Sequence, residues 1–313
     1  MLHSHPRIAV APETRYLVPT YLQRERFGDL TVRANREKLA RWITRPGGGT
    51  KFNDLGIDRD ATIARIVSGP PTVGSAFAAV WEEFAQSRGK QRWGEKRPSY
   101  YLWTDLILRL FPDTQFVHIV RDPRACVASL LATTWWSGGF ERGLTAWVRA
   151  EWATRRLERT APPNAYYRLR YEDLVTSPRR ELTALCAYLG EEFDEQMLDH
   201  TKAAQDIVHE RQVHHNRTHT QVDPTRIEAW RNDLDSDEIG LIEAVTRRAM
   251  RRHGYEVSGL GIRPSPRLAL SFANVLARRV YSHRRTLLRD AVRRRRETRP
   301  IAAVPRPASR QPA

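Results

Sequence analysis

Cysteine is nearly absent: Cys126 and Cys186 are the only two in 313 residues, too few for a disulfide framework or a zinc cage. A reducing compartment, and so a cytoplasmic location, is the default expectation. No apolar run approaches the roughly 20 residues needed to span a bilayer, and the amino terminus has no charged-then-apolar leader pattern, so a soluble protein is expected. Lysine is scarce too, with Lys38, Lys51, Lys90, Lys96 and Lys202 against 47 arginines. A lysine at a strand end therefore draws notice here, because an ammonium can give up a proton whereas a guanidinium stays charged. A glycine-rich phosphate loop is also missing upstream of the first strand. The run Gly47-Gly48-Gly49 has no preceding strand and no Gly-Lys-Ser/Thr ending, and reads as a flexible surface loop.

What is present is enough apolar residue for a large core, with a formal net charge of +16. The charge is unevenly spread. From Arg263 onward there are 14 arginines against Asp290 and Glu297, a net of +12 that leaves +4 for residues 1–262. The body is thus not a strongly basic fold, and no specific nucleic-acid partner is expected for it.

The chain is organised around QFVHIVRDPRACVASLL, Gln115 to Leu131. Gln115 to Val120 is a short apolar, β-branched run that fits an inner strand of a parallel sheet, buried on both faces. Asp122 then caps a helix with Pro123 at its first position and Val127, Leu130 and Leu131 on its buried side. Arg121 stands at the carboxyl end of the strand, where open α/β sheets bind ligands, and Ser129 lies about two turns further on. Guanidinium, hydroxyl and helix-terminal N–H groups together suit a phosphate. The alternative is a plain capped strand and helix with Arg121 paired to a carboxylate.

Other strand exits carry further candidates. Arg7 to Val10 reads as a strand leading to Glu13 and Arg15, and Arg92 to Pro98 as a strand ending at Lys96. Ala165 to Leu169 is another, with Tyr171 and Asp173 at its exit. Helices are expected over residues 21–44, 72–87, 100–110, 144–160 and 178–189, the last ended by Gly190, and over 227–232 and 237–252. His209, His214, His215 and His219 sit in a polar stretch with Arg211, Arg217 and Arg226. It reads as a mobile basic loop over an anion rather than a metal site, since no cysteine is near and no Glu follows the first histidine of the His215/His219 pair.

From Pro264 the composition shifts to leucines, valines and arginines, with an unbroken run from Arg293 to Arg296. Two readings stay open for this extension. One is an amphipathic helix touching an anionic membrane through residues 264–299, or an acidic partner; the other is a solvated, partly disordered tail. The Pro- and Arg-rich end from Pro300 is expected to pack against no core.

Four segments in order resemble the sulfotransferases that use 3′-phosphoadenosine 5′-phosphosulfate (PAPS). They are HPRIAVAPETRYL, GEKRPSYYLWTDLILRLFPDTQFVHIVRDPRACVASLL, YRLRYEDLVTSPRRELTALCAYLG, and IEAWRNDL with the later MRRHGYE. The resemblance, closest to the bacterial-type tyrosylprotein and carbohydrate branch, implies an α/β fold with a parallel sheet flanked by helices, related to the P-loop nucleotide-binding folds. It implies a sulfotransferase domain over 1–262 and a basic extension over 263–313. It implies PAPS as co-substrate, no metal, and an acceptor of unknown class bearing a hydroxyl or amine.

By carry-over, Arg121 and Ser129 match the pair that holds the 3′-phosphate, and Tyr171 a position near the adenosine. Arg226 falls where some members add a basic contact, although their Gly-Arg-Trp pattern is absent. Glu13 resembles the glutamate that takes the acceptor proton, Lys96 the lysine that stabilises the leaving phosphate, and Arg15 a residue that meets the acceptor. Arg97 replaces the small Thr or the Asp usual after that lysine. Relatives place a strand and a Pro-Arg-Ser-Gly-Thr-Thr loop ahead of the segment matching Met1 to Pro6, so the fold is expected to be N-terminally truncated as given, lacking both, either because translation starts further upstream or because this is a truncated relative. A non-catalytic nucleotide- or sulfate-binding relative and a P-loop phosphotransferase relative are the competing classes.

Overall fold

The computed structural model describes residues 1–47, 49–199, 201, 224–259 and 261–304. These fall into two compact units, one drawn from 1–114, 194–210 and 298–313 and the other from 115–193 and 211–297. In each, a two-stranded parallel sheet has helices packed on it.

In the first unit, strand Ile8–Val10 (β1) pairs with Arg92–Gly94 (β2) from Ile8 opposite Arg92 to Val10 opposite Gly94. Between them run helices Leu17–Leu22 (α1), Arg33–Ile43 (α2), Arg59–Ser68 (α3) and Val73–Gln86 (α4). Thr104–Leu110 (α5) follows β2, after a 3-10 turn over Pro98–Trp103. The central helix is α4, whose start is fixed by the Thr72 hydroxyl accepting from Ser75 N at 3.0 Å. Its Phe77, Val80, Trp81 and Phe84 are fully or almost fully buried, each contributing roughly 2 kcal/mol relative to exposure. Trp81 stacks on Trp93 of β2 with ring centres 4.8 Å apart, which ties the helix to the sheet.

The single helix expected over 21–44 is corrected. Gly28 takes a left-handed φ of 68°, and Thr31 N donates to the Asp29 carboxylate at 2.9 Å, so a turn separates α1 from α2. The apolar spacing across that segment came from two helices meeting one core.

The second unit pairs Phe116–Val120 (β3) with Tyr166–Arg170 (β4), from Phe116 opposite Tyr166 to Val120 opposite Arg170. Around them lie Pro123–Leu131 (α6), Gly139–Thr160 (α7), Tyr171–Thr176 (α8) and Pro178–Leu189 (α9). Trp230–Asp233 (α10), Ser236–Arg252 (α11) and Pro266–Arg294 (α12) complete it. Val127, Leu144, Val148, Trp230, Ile242 and Phe272 form its main core. Asp235 and Glu238 close a reciprocal capping box on α11.

β3 is not buried on both faces as expected: Ile119 is 54% exposed and only Val120 is fully buried. Among the described residues β3 pairs with β4 alone, and Ile119 is its one exposed side chain. The tail reading also changes. Residues 266–294 form one helix. Beyond it Ile301 packs on the core of the first unit, Gly74 N donates to Ile301 O at 2.8 Å, and Ala303 N donates to Leu110 O at 2.6 Å. Backbone bonds to Gly74 of α4 and Leu110 of α5, with the Ile301 side chain between, hold this segment.

Candidate functional site

In the first unit the parallel pairing brings the carboxyl ends of β1 and β2 level, continued by Ala11 N donating to Gly94 O at 3.0 Å. Glu13, Arg15 and Lys96 follow those ends. Lys96 and Arg15 are exposed, and Lys96 makes no ion pair among the described residues. Glu13 Oε1 lies 3.8 Å from Arg15 Nε and 3.8 Å from Arg97 Nε, so Arg97 stands as a second cation beside this carboxylate.

Glu95, which sequence reasoning passed over, anchors this turn. Its Oε1 accepts from Thr14 N at 3.2 Å and from Thr14 Oγ1 at 2.9 Å, clamping the loop between Glu13 and Arg15 onto the residue before Lys96. Burial pushes the Glu95 carboxyl up to about 7, opposed by the Thr14 and Tyr100 hydroxyls and the Lys96 charge. The signal for it in the sequence is weak, because a glutamate beside a lysine in a polar turn reads as solvated.

In the second unit the strand register decides the geometry. With Val120 opposite Arg170, the next residues, Arg121 and Tyr171, emerge side by side. The Arg121 guanidinium lies over the Tyr171 ring, its Cζ 4.4 Å from the ring centre. Ser129 is half-buried on α6, two turns beyond the Asp122 cap. Arg226 is half-buried in the turn Pro224–Ile227, which packs against α8, the helix that Tyr171 begins.

The alternative of Arg121 paired to a carboxylate is not what is observed. Its Nε is buried without a hydrogen-bond partner, and the nearby carboxylates are engaged elsewhere. Glu172 accepts from Asp122 N at 3.0 Å and from the Tyr255 hydroxyl at 2.7 Å. Asp122 accepts from Arg124 N at 2.8 Å and from the Arg124 guanidinium, whose other end meets Glu243 at 2.7 Å. Arg124 also covers the Trp230 ring at 3.9 Å. This buried network holds the strand-to-helix turn from beneath and leaves Arg121 uncommitted. Trp147 Nε1 donates to the Arg121 carbonyl at 3.1 Å, fixing its backbone as well.

Burial pushes the Cys126 thiol up to about 12, so no thiolate nucleophile is available there. No cluster of three or more His, Cys, Asp or Glu suited to a metal occurs among the described residues. His209, His214, His215 and His219, with Arg211 and Arg217, lie outside the described residues.

A sequence model of the sulfotransferase family matches residues 1–195. The chain belongs to that family. A Caenorhabditis elegans protein provisionally named a protein-tyrosine sulfotransferase is 28% identical over 109 residues, 34% of this chain and 42% of that protein. Its Caenorhabditis briggsae counterpart is 20% identical over 156 residues, covering 48% and 56%. An omega-hydroxy-beta-dihydromenaquinone-9 sulfotransferase of Mycobacterium bovis is 27% identical over 107 residues, covering 30% and 28%. The chain thus spans about half the length of the nematode relatives it matches.

Among solved structures, the sulfotransferase domain of the Synechococcus PCC 7002 olefin synthase superposes with a TM-score of 0.57 at 21% identity, over 82% of this chain and 88% of that one. The sulfotransferase domain from the curacin biosynthetic pathway gives 0.54 at 17%, over 82% and 92%. At these identities the likeness establishes the fold: this family member has an α/β sulfotransferase-like architecture with small parallel sheets flanked by helices.

Proposed function

We propose that this sulfotransferase-family chain moves the sulfuryl group of PAPS to a hydroxyl or amine acceptor, releasing adenosine 3′,5′-bisphosphate. The observation that carries the reading is Arg121: a half-buried guanidinium over a tyrosine ring, with a buried and unpartnered Nε, in a turn whose carboxylates are already engaged. Such a group is suited to a phosphate beside an adenine or ribose. Ser129 and Arg226 are assigned to the same 3′-phosphate end, and Tyr171 to the adenosine.

In the transfer, the bond from sulfur to the 5′-phosphate oxygen breaks as a bond from sulfur to the acceptor atom forms. Glu13 takes the acceptor proton, Lys96 stabilises the negative charge that grows on the bridging oxygen, and Arg15 meets the acceptor. No metal is assigned a role. We further assign the chain to the tyrosylprotein and carbohydrate branch and its fold to the P-loop kind. The provisional tyrosylprotein name of the nematode relatives favours that branch.

Calorimetric titration of adenosine 3′,5′-bisphosphate into the folded chain tests the nucleotide half. Binding that PAPS competes away is expected, and a preference for ATP with magnesium would move the chain to the phosphotransferase class.

A further inference from the structure

Helix α12 has two apolar faces. Leu268, Phe272 and Leu276 point into the core of the second unit. A separate set points outward: Leu270 is 64% exposed, Tyr281 65%, Leu288 66% and Val292 56%, and Ala277 between them is exposed as well. Positions 270, 277, 281, 288 and 292 follow steps of seven and four, which at 100° per residue keeps them within an arc of about 60°. They line one side of the helix over about 33 Å, sharing that arc with the exposed Asn274. Four large apolar side chains more than half exposed in one line are not the scattered surface residues a soluble protein normally shows.

The borders of the stripe are cationic. Arg267, Arg278, Arg285 and Arg289 run along one side and Arg284 lies on the other, all exposed. The guanidinium of Arg285 lies 5.7 Å from the Tyr281 ring centre, so the two share one surface. From Pro266 to Arg296 the only acidic residue is Asp290, which is buried.

This pairing of charge and apolarity selects the occupant. A second copy of the helix would bring arginines against arginines with no exposed carboxylate on the helix to offset them. A nucleic acid would engage the arginines and leave the leucines, valine and tyrosine in water. An anionic bilayer satisfies both, since acyl chains take the stripe while long arginine side chains reach up to the headgroups. No described helix is long and apolar enough to cross a membrane, so the geometry is that of a helix lying in the interface plane. We infer that α12 docks the protein on an anionic lipid surface through Leu270, Tyr281, Leu288 and Val292, bordered by its arginines. This inference stands apart from the sulfuryl-transfer reading.

The test is vesicle co-sedimentation of the full chain, with phosphatidylcholine vesicles and with vesicles containing roughly a third phosphatidylglycerol. The chain is expected to bind the anionic vesicles at least about tenfold more tightly than the neutral ones, and less tightly as salt rises. Leu270→Asp with Leu288→Asp should weaken that binding at least about tenfold at unchanged melting temperature, because neither side chain is in the core. Arg284→Gln with Arg285→Gln should weaken it and flatten the salt dependence. Failure to bind anionic vesicles would overturn the inference. So would undiminished binding by the Leu270→Asp/Leu288→Asp variant, which would mark a purely electrostatic contact as with nucleic acid. A concentration-dependent dimer dissociated by that variant would overturn it too, since a second copy would then cover the stripe.

Discussion

The Arg121 guanidinium sits over the Tyr171 ring at 4.4 Å, and the two residues meet because β3 and β4 end in register, Val120 opposite Arg170. Neither residue needs a flexible loop to find the other. Arg121→Ala is expected to weaken adenosine 3′,5′-bisphosphate binding by about 2–3 kcal/mol, roughly 30- to 150-fold, the scale of a charge-assisted hydrogen bond set. Arg121→Lys should recover part of the loss through charge and not the planar contact with the ring. Calorimetry on both variants and on Tyr171→Leu checks this; equal affinity in Arg121→Ala would remove the residue from the site.

Arg124 is a different kind of arginine, buried between Asp122 and Glu243 and stacked on Trp230. Arg124→Met leaves two buried carboxylates without their cation and is expected to cost about 3–5 kcal/mol of stability. Urea unfolding of the variant measures it, and a loss under about 1 kcal/mol would show that the network is not what holds the turn.

Glu95 supplies a pH dependence. Its folded-state pKa of about 7 lies above the ordinary carboxylate value, because burial disfavours the anion. The folded state therefore holds a proton that the unfolded state releases near 4.5. Its contribution to stability is complete below that pH and is lost as pH rises through about 7. Glu95→Gln should flatten the stability curve between those two values while keeping a partner for Thr14. Chemical denaturation from pH 4 to 8 in the two proteins reads the difference directly.

Gly74 is where the returning chain touches α4. A Cβ there would lie 2.4 Å from Ala303 N and 2.8 Å from both Ile301 O and Leu110 O. Alanine favours a helix by up to about 1 kcal/mol, yet Gly74→Ala should release the 301–304 segment. Hydrogen exchange at the Ala303 amide, which now donates to Leu110 O, is expected to accelerate while the amides of α4 itself do not.

Much of the second unit was legible because its signals are local. Asp122 and Pro123 announce a helix start, Gly190 a helix end, and helical spacing places Ser129 about two turns from the cap whatever surrounds it. What could not be read depends on partners distant in sequence. Glu172 and Tyr255 are 83 residues apart, and only the fold makes them a pair under Arg121. Glu95 and Thr14, separated by 81 residues, are likewise joined by the pairing of β1 with β2. The exposure of Ile119 had the same origin, since an apolar run specifies a strand but not how many neighbours cover it. The helical tail was legible as an alternative, and its docking end was not, because main-chain bonds to Gly74 of α4 and Leu110 of α5 leave no mark in side-chain pattern.

The central claim is a PAPS-dependent transfer run by Lys96 and Glu13 with Arg121 gripping the donor. Its most direct test is transfer of labelled sulfate from PAPS to a panel of hydroxyl and amine acceptors. The account predicts transfer to at least one acceptor, reduced about a hundredfold or more in each of Lys96→Ala, Glu13→Ala and Arg121→Ala, with folding unchanged. A folded protein that transfers no sulfate and has no affinity for adenosine 3′,5′-bisphosphate would contradict it, as would transfer indifferent to all three substitutions.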